Sequence, residues 1–483
     1  MQMFSTRRTL AVVCLYLIFI LFPIAGFGEN TSPEIQTVGQ INQWTTQNGM
    51  KVLYQQAETL PIIDIRLIFD AGGARDVSTQ RGLAGTAKLT NGLIFEGADK
   101  LSADQIADKF ASLGVEYGNG SYRDMALVNL RTLSYPQQRD AALELLAHVL
   151  STATFPEEAL KRESDRMLAA LDYEDQTPAK KASRFFYESL YTEHPYGSPP
   201  DGTRDSLKKI TRADLQTYYK RFFVAKNAVL AMVGDLNLTQ AKAYAEKISQ
   251  AFPSGEKVSA LPAVESLSKN IVLKEEHPAT QTTMLMGAPM LKRGDEDYYP
   301  LYVGNHILGG SGFSSRLMKE VRVKRGLTYS IGSYLVPMRE KGPYQFSFTT
   351  KKSSTEEAIK LVDENLHKFI QQGPTVEELE EAKLNITGSF PLRMASNKSI
   401  VENLAVIGFY DLPLDYLDEY NKHIESVTIE QIKDVYKRLV NPDKMATIVV
   451  GPQMEQLHIK TDKVARLEAE KASEPSIEKK SKN

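Results

Sequence analysis

The chain has 483 residues, with 58 Lys and Arg against 60 Asp and Glu and a net charge of -2. That balance gives no general attraction to nucleic acid or to an anionic membrane surface. One cysteine, Cys14, excludes disulfides and thiolate metal sites within the chain. The length leaves room for more than one domain.

Residues 1–28 read as a signal peptide. Arg7 and Arg8 precede an almost wholly apolar run over 10–23, and Gly26-Phe27-Gly28 offers a small-x-small cleavage site. The run is short for a membrane span and is broken by Pro23. An uncleaved anchor is the alternative. Arginines ahead of such a run fit an exported protein of a bacterial envelope, and so a periplasmic one.

Downstream, "GMKVLYQQ" and "IIDIRLIFDAGG" read as strands, with Asn48-Gly49 as a turn. "RGLAGTAKLTNGLIFEG", from Arg81, has the rhythm of a helix entered through Arg-Gly and left through Glu-Gly. Leu101-Ser102-x-x-Gln105-Ile106 combines a hydrophobic staple with a capping box and predicts a helix from Ala103 to near Gly114. "ALVNLRTL" is a further strand. The polar stretch 256–270, with Pro262, reads as a linker. In the second half, Ser354-x-x-Glu357 and Thr375-x-x-Glu378 each predict a helix start, and Gly373-Pro374 a stop. The charged residues 463–483 read as a disordered tail.

An internal repeat sets the architecture. "ITRADLQTYYKRFFVAKNAVLAMVGD", from Ile210, matches "VTIEQIKDVYKRLVNPDKMATIVVGP", from Val427, without a gap at an offset of 217. Each copy reads as a capped helix, a short loop and an apolar strand ending at Gly. Upstream, "RDAALELLAHVL" faces "TEEAIKLVDENL", one position out of phase at its start and at the same offset at Ala141 and Ala358. The chain is therefore read as a tandem duplication, over 29–255 and 271–462. Strands and helices mix without strict alternation, so the fold class is α+β.

With the duplication established, the chain resembles the pitrilysin/insulinase-like zinc metallopeptidases, in particular the two-domain processing-peptidase subgroup. The resemblance rests on "NGMKVLYQQ", "AGGARD", "RGLAGTAKLTNGLIFEGA", "HPYGSPPDGT", "ITRADLQTYYKRFF", "AMVGD" and "GGSGFSSRLMKEVRVKRGLTYSIGSY", in that order. It implies two tandem homologous α/β-sandwich domains forming a half-clamshell.

In active members the first helix carries His-x-x-Glu-His, two ligands and a general base. One frame places these positions at Gly85, Lys88 and Leu89, another at Lys88, Asn91 and Gly92. Neither holds a histidine or an acid. Ala169-Ala170 stands where the third ligand is expected, Glu163 and Glu174 read as solvated helix charges, and His194 as a structural loop residue. The closest two of the seven histidines are 29 apart. No catalytic zinc is expected on this chain.

The resemblance assigns the second half a Gly-rich turn (Gly309, Gly310, Ser311, Gly312) of open purpose, gating loop or tight turn, followed by Arg322 and Tyr329. In paired-subunit peptidases this Arg/Tyr pair binds substrate at a partner's zinc. Taken alone, Arg322 could belong to a charged helix face and Tyr329 to the sheet packing. The implied function is a non-catalytic, substrate-binding subunit that is inactive alone. It would pair with a homologous subunit that brings zinc and an edge strand for peptide substrates. The alternative is an inactive scaffold or chaperone-like member.

Overall fold

The computed structural model describes residues 39–79 and 81–453. The signal-peptide and tail readings lie outside the described residues. No described helix is long and apolar enough to cross a membrane.

The first half builds a six-stranded sheet. β1 (Asn42–Thr45) turns at Asn48-Gly49 into β2 (Lys51–Gln56), with Gly49 at φ 99°. β3 (Ile62–Phe69), β4 (Glu116–Ser121), β5 (Ala126–Leu133) and β6 (Ala228–Gly234) complete the order β1-β2-β6-β3-β5-β4. Its helices include α1 (Thr86–Gly92), α2 (Ala103–Ser112), α3 (Pro136–Ser151), α4 (Glu157–Asp175), α5 (Pro178–Tyr191) and α6 (Arg212–Phe222). α2 starts where predicted, with Ser102 and Gln105 exchanging capping-box bonds.

The second half repeats the plan without an equivalent of β1 among the described residues. β7 (Ile271–Glu276), β8 (Gln281–Leu291), β9 (Thr328–Leu335), β10 (Gly342–Lys351) and β11 (Ala446–Gly451) lie in the order β9-β10-β8-β11-β7. Its helices include α7 (Tyr298–Asn305), α8 (Thr355–Gln372), α9 (Val376–Arg393), α10 (Asn397–Phe409) and α11 (Ile429–Leu439). In each sheet one pair is parallel, β2 with β6 and β7 with β11, and the rest are antiparallel.

Each half lends a helix to the other. α5 buries Phe186, Leu190 and Tyr191 against Leu273, Leu285, Ile448 and Val450 of the second sheet. α10 buries Val401, Leu404, Ala405 and Phe409 against Leu53, Ile68, Val229 and Ala231 of the first. Each large apolar side chain so covered contributes ~1.5–3 kcal/mol. A Cβ at Gly408 would come within 2.6 Å of Leu53 and Val229, so α10 sits directly on the sheet. At the joint, the buried Asp124 carboxylate accepts from the Tyr196 and Tyr410 hydroxyls and from the Arg339 amide.

Four expectations change. The helix predicted through "RGLAGTAKLTNGLIFEG" is only α1, two turns long, and the chain leaves it at Leu93. Ser354 precedes α8 but its hydroxyl accepts no capping bond, because it ends a 3-10 turn over Lys352–Ser354. The 256–270 stretch is coil yet not a free tether, since Leu261 and Val264 are buried beside Phe186 and Leu190. Of the three glycines in the Gly-rich turn, only Gly312 has a positive φ, 61°. Gly309 and Gly310 lie in a π-turn, where a Cβ would collide with Ser333 or Asn305. They are small to allow close packing.

Candidate functional site

The place of the expected zinc helix is sealed. Asp76 lies fully buried beneath the start of α1 and accepts from the Gly85 and Ala87 amides, at 2.7 Å each. Burial pushes its pKa up to about 8, against the pull of those two amides. Gly85 is the left-handed N-cap at φ 92°, and a Cβ there would lie 3.0 Å from the Gly202 backbone. Lys88 pairs with Asp201, while Leu89 is in the core.

The second frame fares no better. Asn91 is buried and donates to the Leu127 carbonyl at 3.3 Å, and Gly92 ends the helix. Ala169 and Ala170 are exposed on α4. Glu163, largely covered rather than solvated, pairs with Arg166 on the same helix. Glu174 is not a solvated charge either: it is half-buried and close to Asp201 and Lys88, and burial followed by the Asp201 charge raises its pKa. Among the described residues no group of three His, Cys, Asp or Glu side chains is placed to hold a metal. The Lys88 ammonium further opposes a divalent cation there. His194 is structural, its ring bonded to the Pro262 carbonyl at 2.9 Å and set edge-on to Tyr196.

The second-half residues are arranged differently. Arg322 lies in the wide π-turn Met318–Val323, which closes onto β9 through bonds from Gly326 to the Arg322 carbonyl (2.8 Å) and from Leu327 to the Val321 carbonyl (3.1 Å). Its neighbours Lys324 and Arg325 both pair with Glu320, at 2.6 and 3.0 Å. Arg322 has no carboxylate partner among the described residues, and its guanidinium lies 4.6 Å from the centre of the exposed Phe313 ring.

Tyr329 is 73% exposed, so it does not pack the sheet. The β9–β10 register slips between Thr328 and Ile331, leaving Tyr329 on a bulge. The Thr328 hydroxyl bridges the gap, 2.8 Å from the Ser330 carbonyl and 2.7 Å from the Thr349 carbonyl. Bulges of this kind re-aim a side chain. The sequence singled out Arg322 and Tyr329 but missed Phe313, whose only signal was a large apolar residue inside a Gly-Ser turn. It also missed the pairing of Asp201, in "HPYGSPPDGT", with Lys88.

Two family profiles match in tandem, Insulinase (Peptidase family M16) over residues 51–204 and Peptidase M16 inactive domain over 209–386. A solved structure of peptidase M16 inactive domain from Pseudomonas fluorescens is 38% identical, with a TM-score of 0.82, over 86% of this chain and 98% of that one. The chain belongs to the peptidase M16 family. Among its M16 relatives is a protein of Helicobacter pylori named non-peptidase homolog YmxG, 27% identical over 83% of this chain and 92% of that protein. The periplasmic protease PqqL from Escherichia coli shares the fold, with a TM-score of 0.70 and 17% identity, over 90% of this chain and 49% of that one. The present chain is thus an M16 member with two M16 domains and without the family's zinc motif.

Proposed function

We infer that this chain is the non-catalytic, substrate-binding subunit of a heterodimeric zinc peptidase of the bacterial periplasm. The observation that carries it is an asymmetry of engagement. The zinc positions are filled by backbone contact, an ion pair and core packing. Arg322, half-buried on a π-turn, and Tyr329, exposed on a bulge, have no carboxylate partner among the described residues. A guanidinium and a phenol can both donate to a peptide carbonyl or to the oxyanion it becomes, without competing for a metal. The zinc and its activated water would come from a homologous partner chain. Export by the N-terminal segment would place the complex in the periplasm.

Co-expression with a zinc-bearing homologue of the same genome tests the assignment. The pair should co-purify and cleave unfolded peptides, and this chain alone should not. In the complex, Arg322→Ala or Tyr329→Phe should lower kcat by about 100-fold for the stronger donor, because an oxyanion contact strengthens in the transition state. Arg322→Lys should rescue poorly, since an ammonium lacks the guanidinium fork. Unchanged kcat in both variants, or a homologue fully active without this chain, would leave an inactive scaffold as the better description.

A further inference from the structure

The second domain holds a cavity at the counterpart of the lost zinc site. α7 packs on α11 as α1 packs on α6, and it faces the edge strand β9 as α1 faces β4. Carried forward by the repeat's offset, Gly85, Lys88 and Leu89 meet Tyr302, Asn305 and His306. Where the first domain is closed, these three line a cavity of about 230 Å³, bounded also by Arg293, Tyr298 and the end of β9. That is roughly the room of seven or eight water molecules, enough for a carboxylate and one modest side chain.

Arg293 lines the cavity, Arg393 stands exposed at its rim, and no carboxylate is among the lining side chains. Arg293 lies 5.5 Å from the Tyr410 ring centre, and its buried Nε has no hydrogen-bond partner. Arg393, at the end of α9, lies beside Tyr302, which stacks on Tyr298 at 5.4 Å. Neither arginine has a carboxylate within ion-pair distance among the described residues. Glu381 faces His306 from α9, and Asn385 bonds to that imidazole. Tyrosine hydroxyls and guanidinium forks are the donors that suit a carboxylate.

The neighbouring strand indicates what carries that carboxylate. Ser333, Tyr334 and Leu335 of β9 line the cavity, and β9 has no further strand on its outer edge among the described residues. An extended peptide can pair with such an edge. We propose that this cavity receives the C-terminal carboxylate of a peptide laid along β9, with Arg293 and Arg393 as the anion-binding pair. The carboxylate end lies at Ser333, Tyr334 and Leu335, the opposite end of β9 from the bulge that carries Tyr329, and does not depend on pairing with a zinc subunit.

Isothermal titration of the mature chain alone tests this with a short unstructured peptide in two forms, free acid and C-terminal amide. The free acid should bind at least tenfold more tightly, since a charge-assisted bond is lost in the amide. Arg293→Gln, checked for native melting, should lose the same preference, and Arg393→Gln should weaken it. A single N-acetylated amino acid should bind at least tenfold more weakly than the peptide. Equal binding of that small acid would overturn the peptide and assign the cavity to small carboxylates. Equal binding of acid and amide, or unaltered discrimination in a folded Arg293→Gln variant, would overturn the anion site altogether.

Discussion

Around α1 of the first domain, every position of the expected zinc motif has a structural occupation: a left-handed cap against Gly202, an ion pair, a core leucine. Around β9 of the second, Tyr329 is exposed and the half-buried Arg322 carries no ion-pair partner among the described residues, while the backbone beneath them is irregular. The two regions descend from one repeated plan. Loss of a metal site therefore does not simply leave a gap. The backbone and side chains close over it, while Tyr329 stays open on its bulge.

The largest effect should come from trying to undo that closure. Gly85→His, Lys88→Glu and Leu89→His together should fail to bind one zinc per chain. A Cβ at residue 85 meets the Gly202 backbone at φ 92°, and Leu89 is fully buried. The core substitution alone should cost ~2–5 kcal/mol. Thermal melting with metal analysis after dialysis checks this, and stoichiometric zinc in a well-folded triple variant would break the comparison.

A smaller effect should follow pH. The Asp76 carboxyl is raised from 3.8 to about 8 by burial, so the folded state favours its protonated form. Its contribution to stability is full below about pH 4 and is lost as pH rises through about 8. The melting temperature should fall by a few degrees between pH 5 and 9, and Asp76→Asn should flatten that slope. An unchanged slope would mean that α1 is not seated on a protonated acid. The smallest effect sharpens the contrast: Arg322→Ala should lower the stability of the isolated chain by no more than ~0.5–1 kcal/mol, the worth of its contact with the exposed Phe313 ring. A larger loss, read by denaturant unfolding, would make Arg322 a structural residue.

The local punctuation of the fold was legible. The capping boxes at Ser102 and Thr375 both form, and the repeat's helix–strand units stand where the pattern put them. These signals depend on neighbours within a few residues. The destination of α5 and α10 was not legible, because an amphipathic helix shows that it has an apolar face but not which sheet covers it. The packed course of 256–270 was missed for a related reason: Leu261 and Val264 are too sparse to make a period. At the site, the missing ligands could be read directly. The bulge under Tyr329 and the Phe313 platform could not, since both depend on register and chain reversal rather than composition.

The exchange of α5 and α10 bears on how the duplicated chain can be divided. A fragment ending near residue 255 would keep α5 with no sheet to cover and leave the outer face of its own sheet bare, and the complementary fragment would have the reciprocal fault. Both would present broad apolar surfaces, the kind that drive association. Two such fragments in one solution would each carry the cover the other lacks. The covalent link between the halves therefore acts chiefly as a concentration device, holding together two pieces whose complementary faces already specify how they meet.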